Sequence, residues 1–287
     1  MMNRVATPVL QNMVACVVVA LSICPAMAQD ENEIEPGAEL EVGGDETSLA
    51  RAAQNPIADL ISLPFQNNFN FNQGPRERTQ WIMNIQPVIP IKLNDRLNLI
   101  TRTILPVINQ PSLAPGMSST FGVGDLNASF FFSPVNNSNI TWGAGPVVSL
   151  PTATDDVLGT GKVSLGVSGV VLAMPGKFVV GGLVSNLWSV AGEGGRDDVN
   201  FFLAQPFVNY NIKNGWYLTS SPIITANWEA SSSDQWTIPI GGGVGKIFRI
   251  GKQPINMSLQ AFENVEKPSN AADWQLRLQI QLLFPKG

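Results

Sequence analysis

The sequence predicts an all-β fold, a transmembrane, antiparallel, up-and-down β-barrel of about twelve strands with a short N-terminal helical or irregular segment. Three observations lead to this prediction. Segments of about ten residues alternate polar with apolar side chains. The connections between them are alternately short and long, and every tryptophan lies near the end of a segment. Membrane barrels combine these features because each strand faces lipid on one side and a wet lumen on the other.

The predicted strands follow one another with glycine, proline and other turn residues between them. They cover approximately residues 65–72, 79–91, 97–108, 121–132, 140–150, 162–173, 177–188, 199–212, 215–228, 236–248, 254–263 and 273–284. β-Branched and aromatic residues fill these segments, which favours strand over helix. No apolar run beyond the N-terminal region is long enough for a helical membrane span, which needs about 18 residues.

Prolines interrupt several of the predicted strands. Because proline has no N–H to donate to a ladder, each should lie at a bulge or near a strand end. The prolines in question are Pro87, Pro90, Pro106, Pro206, Pro222 and Pro239.

The final segment, WQLRLQIQLLF from Trp274 to Phe284, shows the alternation clearly. Its even-numbered residues are apolar, and the opposite face carries Gln275, Arg277, Gln279 and Gln281. Alternation alone fits two structures. A soluble sandwich would bury the apolar face in its core, whereas a membrane barrel would turn that face to lipid.

The connections favour the barrel over the sandwich. They are short after the even-numbered strands and mostly longer after the odd-numbered ones, as in barrels with short turns at one end and loops at the other. Lysines accompany the short set and acidic residues the long set. All seven tryptophans lie near strand ends, where membrane barrels collect aromatic girdles.

The N-terminus resembles a secretory signal peptide. Arg4 precedes a short apolar run, and Ala26-Met27-Ala28 provides a cleavage site, so residues 1–28 are predicted to be removed. Residues 29–54 are predicted to be a disordered acidic leader, and residues 55–287 the barrel. The stretch NPIADLISLPF, Asn55 to Phe65, fits one or two helical turns that plug the lumen or lie at its rim; a structureless lead-in is the alternative.

Composition argues against most catalytic and cofactor chemistry. The sequence has no histidine, and both cysteines, Cys16 and Cys24, lie in the predicted signal peptide. This excludes histidine-based acid/base catalysis and histidine-ligated zinc, so we expect no enzyme activity, no metal site and no cofactor. The net charge is −5 without a basic cluster, which makes nucleic acid an improbable partner.

Two motifs resemble ligand sites only superficially. Asp155 and Asp156 are adjacent carboxylates without the spaced ligands of a calcium loop, so a solvated loop is favoured. The stretch IGGGVGK, residues 240–246, lacks the ending of a phosphate-binding loop, and its glycines more readily allow a strand to bend or a neighbour to approach.

Candidate lumen residues follow from the polar faces of the predicted strands. They are Arg102, Asp125, Gln275, Arg277 and Gln279. Mostly neutral amides with scattered charges suit a polar passage or a small-molecule site. Alternatively, Arg102, Asp125 and Arg277 form salt bridges that brace the wall of a narrow barrel.

Several phrases resemble a family of Gram-negative outer-membrane proteins: NPIADLISLPFQNNFNF, NIQPVIPIKL, LITRTILPVI, PTATD and IPIGGGVGKIFRIGKQPIN. Its members carry loose labels: transporter, phenol-degradation meta-pathway protein or, misleadingly, neuromedin U. The resemblance runs from about Asn55 to Pro285 and implies an outer-membrane β-barrel without a settled substrate.

We therefore expect a passive channel or transporter for small molecules, hydrophobic or aromatic ones included, in a Gram-negative outer membrane. The alternative is a structural or surface-interaction barrel with a closed lumen. The expected partners are outer-membrane lipid, an unidentified small solute and the barrel-assembly machinery, which would recognise the C-terminal strand near Phe284.

Overall fold

The computed structural model describes residues 46–116, 118–135 and 139–285. The predicted signal peptide and residues 29–45 of the predicted leader lie outside these ranges. Helix α1 comprises Glu46–Ala53, and a short 3-10 helix covers Asp156–Leu158. The described part of the chain contains no helix long and apolar enough to cross a membrane.

Antiparallel strands form the rest of the fold. In chain order they are β1 (Ile61–Gln73), β2 (Arg78–Ile85), β3 (Val88–Asn94), β4 (Leu97–Gln110), β5 (Thr120–Val123), β6 (Leu126–Pro134), β7 (Ile140–Leu150), β8 (Lys162–Ala173), β9 (Phe178–Gly192), β10 (Asn200–Asn211), β11 (Trp216–Ser220), β12 (Ile224–Asn227), β13 (Trp236–Ile250), β14 (Gln253–Glu266) and β15 (Trp274–Phe284).

The sheet closes on itself as a barrel. Each strand pairs with its neighbours in the chain, and β1 pairs with β15, with Ile61 opposite Phe284 and Phe71 opposite Trp274. The fifteen segments make twelve strands, because β2 with β3, β5 with β6 and β11 with β12 each form one interrupted strand. The predicted twelve-stranded antiparallel barrel is therefore confirmed.

The two ends of the barrel differ. At one end, the turn end, lie the start of β1, the end of β15 and the facing ends of the pairs β3 and β4, β6 and β7, β8 and β9, β10 and β11, and β13 and β14. At the other, the loop end, lie the facing ends of the pairs β4 and β5, β7 and β8, β9 and β10, β12 and β13, and β14 and β15. The alternation predicted from the sequence is present, although the loop-end connection 74–77 is also short.

Prolines account for the interruptions. The register is the same on both sides of the gap between β11 and β12, since Ala204 faces Ile224 and Val208 faces Ser220. Pro206 of β10 therefore lies opposite Pro222, and two residues without N–H groups meet where the ladder stops.

The other prolines follow the same rule. Pro239 lies at a bulge in β13, and Pro87 lies between β2 and β3. Pro106 faces the gap between β5 and β6, where its carbonyl accepts a hydrogen bond from the Gly124 N–H. Pro90 belongs to the part of β3 that extends past the first residue of β1.

Side chains are distributed inside out relative to a soluble sandwich. On β15, Arg277 is only 2% exposed and Gln281 is buried, whereas Trp274 and Phe284 are exposed on the outer face. The same holds on β8, where Ser164 and Ser168 are buried and Leu165 and Val167 are exposed. The apolar face of WQLRLQIQLLF therefore faces outward, and its glutamines and arginine face the lumen.

Aromatic residues form two outer belts. Trp81, Trp188, Trp228, Trp236 and Trp274 lie towards the loop end, and Trp142 and Trp216 lie at the turn end. In the loop-end belt Phe71 stacks on Trp274 at a centroid separation of 4.0 Å, and Trp228 meets Trp236 edge to face at 5.3 Å. Between the belts lie exposed apolar side chains such as Leu165 and Val167, which form an apolar band that could contact lipid.

The N-terminal segment fills the turn end of the lumen. Leu49 and Ala50 of α1, with Leu60 just before β1, pack against the inward-facing Ile247 and Leu283. Residues 54–60, which connect α1 to β1, carry Ile57 into a second apolar cluster on the barrel wall. We call residues 46–60 the plug.

The helix lies where the sequence did not predict it. The predicted short N-terminal helical or irregular segment is confirmed, but its helix lies elsewhere. Of the two alternatives for Asn55–Phe65 the helical turns are wrong and the irregular lead-in fits, because residues 54–60 form turns and β1 begins at Ile61. Residues 46–53 are helical instead, although they belong to the segment predicted to be disordered. A helix of eight residues is marginal in water, so its stability comes from the apolar contacts that the barrel supplies.

Candidate functional site

One wall of the lumen is built from polar side chains. Strands β14, β15 and β1 are neighbours, and their inward faces are continuous. The buried or half-buried polar residues on these faces are Asn256, Ser258, Gln260, Gln275, Arg277, Gln279, Gln281, Ser62, Gln66, Asn68 and Asn70. We call this surface the amide wall.

A chain of hydrogen bonds runs across this wall between two arginines. Arg277 Nε donates to Asn68 Oδ1 at 3.1 Å, and Gln66 Nε2 donates to the same oxygen at 3.1 Å. Gln86 Nε2 then donates to Gln66 Oε1 at 3.3 Å, and Arg102 Nη2 donates to Gln86 Oε1 at 2.7 Å. The chain therefore joins β15 to β4 through three neutral amides.

Arg277 is held on all sides. Besides Asn68, its guanidinium donates to the Ser221 carbonyl at 2.8 Å and to Gln275 Oε1 at 2.9 Å, and it lies 4.8 Å from the Phe262 ring centroid. Ser221 follows β11 in the gap between β11 and β12, where Pro206 lies opposite Pro222; we call this the proline gap. The Ser221 N–H and hydroxyl both donate to Gln260 Oε1 at 3.1 Å. Arg277 and Gln260 thus replace the ladder hydrogen bonds that this backbone lacks.

Arg102 has fewer contacts. Its one hydrogen bond within the described residues is the bond to Gln86, and its side chain lines a cavity in the lumen. The ion pairs found among the described residues are Lys92–Asp95, Lys162–Asp198 and Lys267–Asp273, so neither Arg102 nor Arg277 pairs with a carboxylate there.

Asp125 lies apart from both arginines. It lies in the gap between β5 and β6 and accepts hydrogen bonds from the backbone N–H of Ala153 and from the N–H and hydroxyl of Thr160, in the loop before β8. The alternative prediction that Arg102, Asp125 and Arg277 form bracing salt bridges is therefore wrong. Asp125 anchors a loop instead.

The predicted site residues thus fall into three groups. Arg102 and Gln279 line the same cavity, and Gln275 belongs to the amide wall beside Arg277, where it donates to Asn70 at 2.7 Å. Asp125 belongs to neither group. Whether these residues bind a solute stays a prediction.

The opposite side of the lumen is apolar. Inward-facing residues of β4, β6, β8 and β9 form a buried cluster with Ile57 of the plug. Its members are Ile57, Ile100, Phe131, Val170, Leu172, Val179 and Leu183, with Val88, Met174, Leu203 and Phe207 packed against them. We call this surface the apolar wall. The sequence showed it only as the blurred alternation VVLA at 170–173, where both strand faces are apolar.

Between the plug and the two walls lies a cavity of about 170 Å³. Gln66, Gln86, Arg102, Gln279 and Gln281 line it on the polar side, and Val88, Leu183 and Phe207 on the apolar side. Residues 52–56 of the plug form its floor towards the turn end. The cavity is therefore amphipathic, with a cation at its polar side.

Glycines let two aromatic rings lie flat against the wall. Tyr217 faces Gly245 on β13, and a Cβ atom at Gly245 would overlap the tyrosine ring. The Tyr217 hydroxyl donates to Asn256 Oδ1 at 2.6 Å. Phe207 lies over Gly181 in the same way. The glycines of IGGGVGK therefore allow close approach within the wall, as expected from the sequence.

The plug is tied to the wall by polar contacts as well. Arg51 donates to the carbonyl of Met174 at 2.7 Å and to that of Gly176, in the turn between β8 and β9. Gln54 and Asn211 exchange two hydrogen bonds between their side-chain amides, of 2.9 and 3.1 Å. The plug is thus fastened on one side by apolar packing and on the other by these hydrogen bonds.

Acidic residues organise the loop end. Asp234 accepts hydrogen bonds from the backbone N–H of Ser269, at 2.6 Å, and from the hydroxyls of Ser231 and Ser233. These bonds, that from the Ser269 backbone first, lower the pKa of Asp234 to about 2. Asp155 caps the 3-10 helix through the Val157 N–H at 3.0 Å, so it serves the loop's own geometry.

Comparisons with known proteins support the fold. No family model matches the sequence, and no curated protein matches it significantly. The crystal structure of an outer membrane channel from Pseudomonas putida F1 superposes with a TM-score of 0.60 at 19% identity, covering 88% of this chain and 100% of that one. At this identity the likeness shows a shared barrel fold alone.

Other outer-membrane barrels match more weakly. The outer membrane phospholipase dimer of Salmonella typhi gives a TM-score of 0.42 at 12% identity, covering 84% of this chain and 97% of that one. A monoaromatic hydrocarbon channel, CymD, gives 0.39 at 10% identity, covering 88% of this chain and 95% of that one. These two likenesses are too distant to bear on activity.

Proposed function

We propose that this chain is a passive outer-membrane channel for small molecules, hydrophobic or aromatic ones included, and that it performs no catalysis. The observation that carries the proposal is the amphipathic cavity, which lies between the amide wall and the apolar wall and is closed at the turn end by the plug. A solute could enter between the loops, rest in the cavity, and leave when the plug moves.

The outer face supports the membrane setting. Exposed leucine, valine and phenylalanine side chains occupy the band between the two aromatic belts, as lipid-facing residues do in barrels. In this setting the turn end, which holds both the start of β1 and the end of β15, faces the periplasm. Phe284 is exposed on the outer face at the end of β15, where the assembly machinery could recognise it.

Histidine-dependent hydrolysis does not fit this chain. The sequence here contains no histidine to activate a serine nucleophile. Passive diffusion of a solute through the lumen is therefore a simpler function for this barrel than hydrolysis.

Locking the plug tests the channel. Cysteines replacing Gln54 and Asn211, whose side chains are hydrogen-bonded, can be joined by a short bifunctional thiol reagent that is cleaved by reduction. The two native cysteines lie in the predicted signal peptide, so the mature chain would carry no others. In a planar bilayer we expect current from the reduced double variant and none from the cross-linked one, with each single-cysteine variant unaffected by the reagent.

A closed structural barrel is the second candidate. The buried hydrogen-bond chain and the plug both fill lumen space. This favours a lumen that is closed by its own braced side chains. If neither the wild-type chain nor the reduced variant passes current with any solute, the channel proposal fails and the closed barrel is supported.

A further inference from the structure

The position of Arg102 sets it apart from the other inward-facing residues of β4. Ile100 lies two residues before it on the same face and is buried in the apolar wall. Val88, which faces Arg102 from β3, packs against that wall. Gln86, which accepts a hydrogen bond from Arg102, belongs instead to the chain of polar hydrogen bonds. Arg102 thus lies at the boundary between the two walls.

The hydrogen bonds of Arg102 are incomplete. A guanidinium has five N–H donors in a planar fork. Among the described residues, Arg102 uses one of them, towards Gln86, and no carboxylate pairs with it. Arg277 is the useful contrast, because each of its three nitrogens donates to a protein acceptor and its ring contact covers it further.

An arginine in a confined lumen without a counter-charge loses solvation and gains little in return. The charge of such an arginine is stabilised when a bound molecule supplies the negative partner. Two oxygens of a carboxylate match the guanidinium fork, and charge-assisted bonds of this kind are among the strongest hydrogen bonds in proteins.

The cavity indicates the rest of the ligand. Leu183 and Phe207 line the same space as Arg102, and the volume is about 170 Å³. This suits a short apolar body attached to the charged group. A free phosphate would leave the apolar lining unused, and a neutral hydrocarbon would leave Arg102 without its charge partner.

From these contacts we infer that Arg102 forms a carboxylate-binding subsite in the lumen and that the solute is a small amphiphilic monocarboxylate. The transport part rests on the proposed channel function, whereas the binding part does not. Arg102 holds the carboxylate, Gln86 orients the guanidinium, and Leu183 and Phe207 contact the apolar body.

Calorimetric titration of the full mature chain in detergent tests the binding part without any variant. The probes are benzoate and hexanoate, with benzyl alcohol and hexanol as neutral counterparts of similar size. We expect each acid to bind about tenfold more tightly than its alcohol, since only the acid forms a charge-assisted pair. Equal binding of acid and alcohol, or no binding of either acid, overturns the inference.

Variants then locate the site. Arg102→Gln should lose the preference for acids, and Arg102→Lys should keep part of it through the retained charge. Arg96→Gln is the matched control, because it removes the same charge from the exposed turn between β3 and β4. Heat-modifiable gel mobility verifies that each variant is a closed barrel. A preference unchanged in folded Arg102→Gln protein, with Arg96→Gln equal to wild type, shows that Arg102 is not the site.

Conductance separates this inference from the proposed function. Acid binding without any current leaves the subsite in place and removes the channel. Current that benzoate does not block, combined with equal binding of acid and alcohol, retains the channel and removes the subsite.

Discussion

Replacing Arg277 by methionine tests whether this arginine holds the barrel wall together. Methionine keeps an unbranched apolar stem but removes the guanidinium, so the Ser221 carbonyl and Gln275 lose this donor and Asn68 keeps only the bond from Gln66. An unsatisfied buried acceptor costs about 1–3 kcal/mol, and Arg277 is only 2% exposed, so water has little access to replace it. If the two side-chain amides find other partners and the Ser221 carbonyl does not, the expected loss is about 1–3 kcal/mol.

Equilibrium unfolding by guanidinium in detergent or lipid, followed by tryptophan fluorescence, measures this loss. Gln279→Met is the matched control, since Gln279 faces the lumen from the same strand and makes no hydrogen bond among the described residues. We expect that control to change stability by less than about 0.5 kcal/mol. If the two variants lose the same stability, the assignment of Arg277 as the support of the proline gap is refuted.

Three further predictions concern the glycine contact, the loop end and the plug. Gly245→Val should push the Tyr217 ring from the wall, break its bond to Asn256 and cost about 1–3 kcal/mol in the same unfolding measurement; unchanged stability would contradict the close packing. The lowered pKa of Asp234 means that its contribution is complete above about pH 4, the range of an unfolded aspartate, and is lost as the pH falls through about 2. The hydrogen-exchange protection factors, taken relative to the intrinsic rate at each pH, should therefore fall at residues 228–235 and 267–273 over that window in the wild type and be low throughout it in Asp234→Asn. Protection factors that do not change with pH in the wild type would refute the anchor. Leu49→Ser should loosen the plug, raising bilayer current and the rate of tryptic cleavage at Arg51, and no change in either would show that packing of α1 does not close the lumen.

The barrel itself could be predicted because strand alternation has a period of two and its two environments differ sharply. On β15 every second residue faced outward as expected, and the connection lengths showed which side was lipid-facing. The prolines also indicated where strands are interrupted, because a residue without an N–H group cannot donate to the hydrogen-bond ladder.

The plug and the site depended on contacts between distant parts of the chain. Residues 46–53 have an acidic, alanine-containing sequence that forms a helix only because Ile247 and Leu283 provide an apolar surface for it. Arg277 could be placed in the lumen from its strand position, but its acceptor, the Ser221 carbonyl, is exposed to it only by the gap in another strand. The apolar wall was missed because both faces of VVLA at 170–173 are apolar.

The pairing of β1 with β15 has a consequence for the order in which the molecule assembles. This pair joins the first and last strands of the chain, so the barrel cannot close until β15 is available. The plug directly precedes β1 and lies inside the closed ring, held by Leu283 of the last strand. The plug's contact with Leu283 can therefore form only once β15 is in place, so docking of the segment before the first strand depends on the last strand and is a late, long-range step of folding.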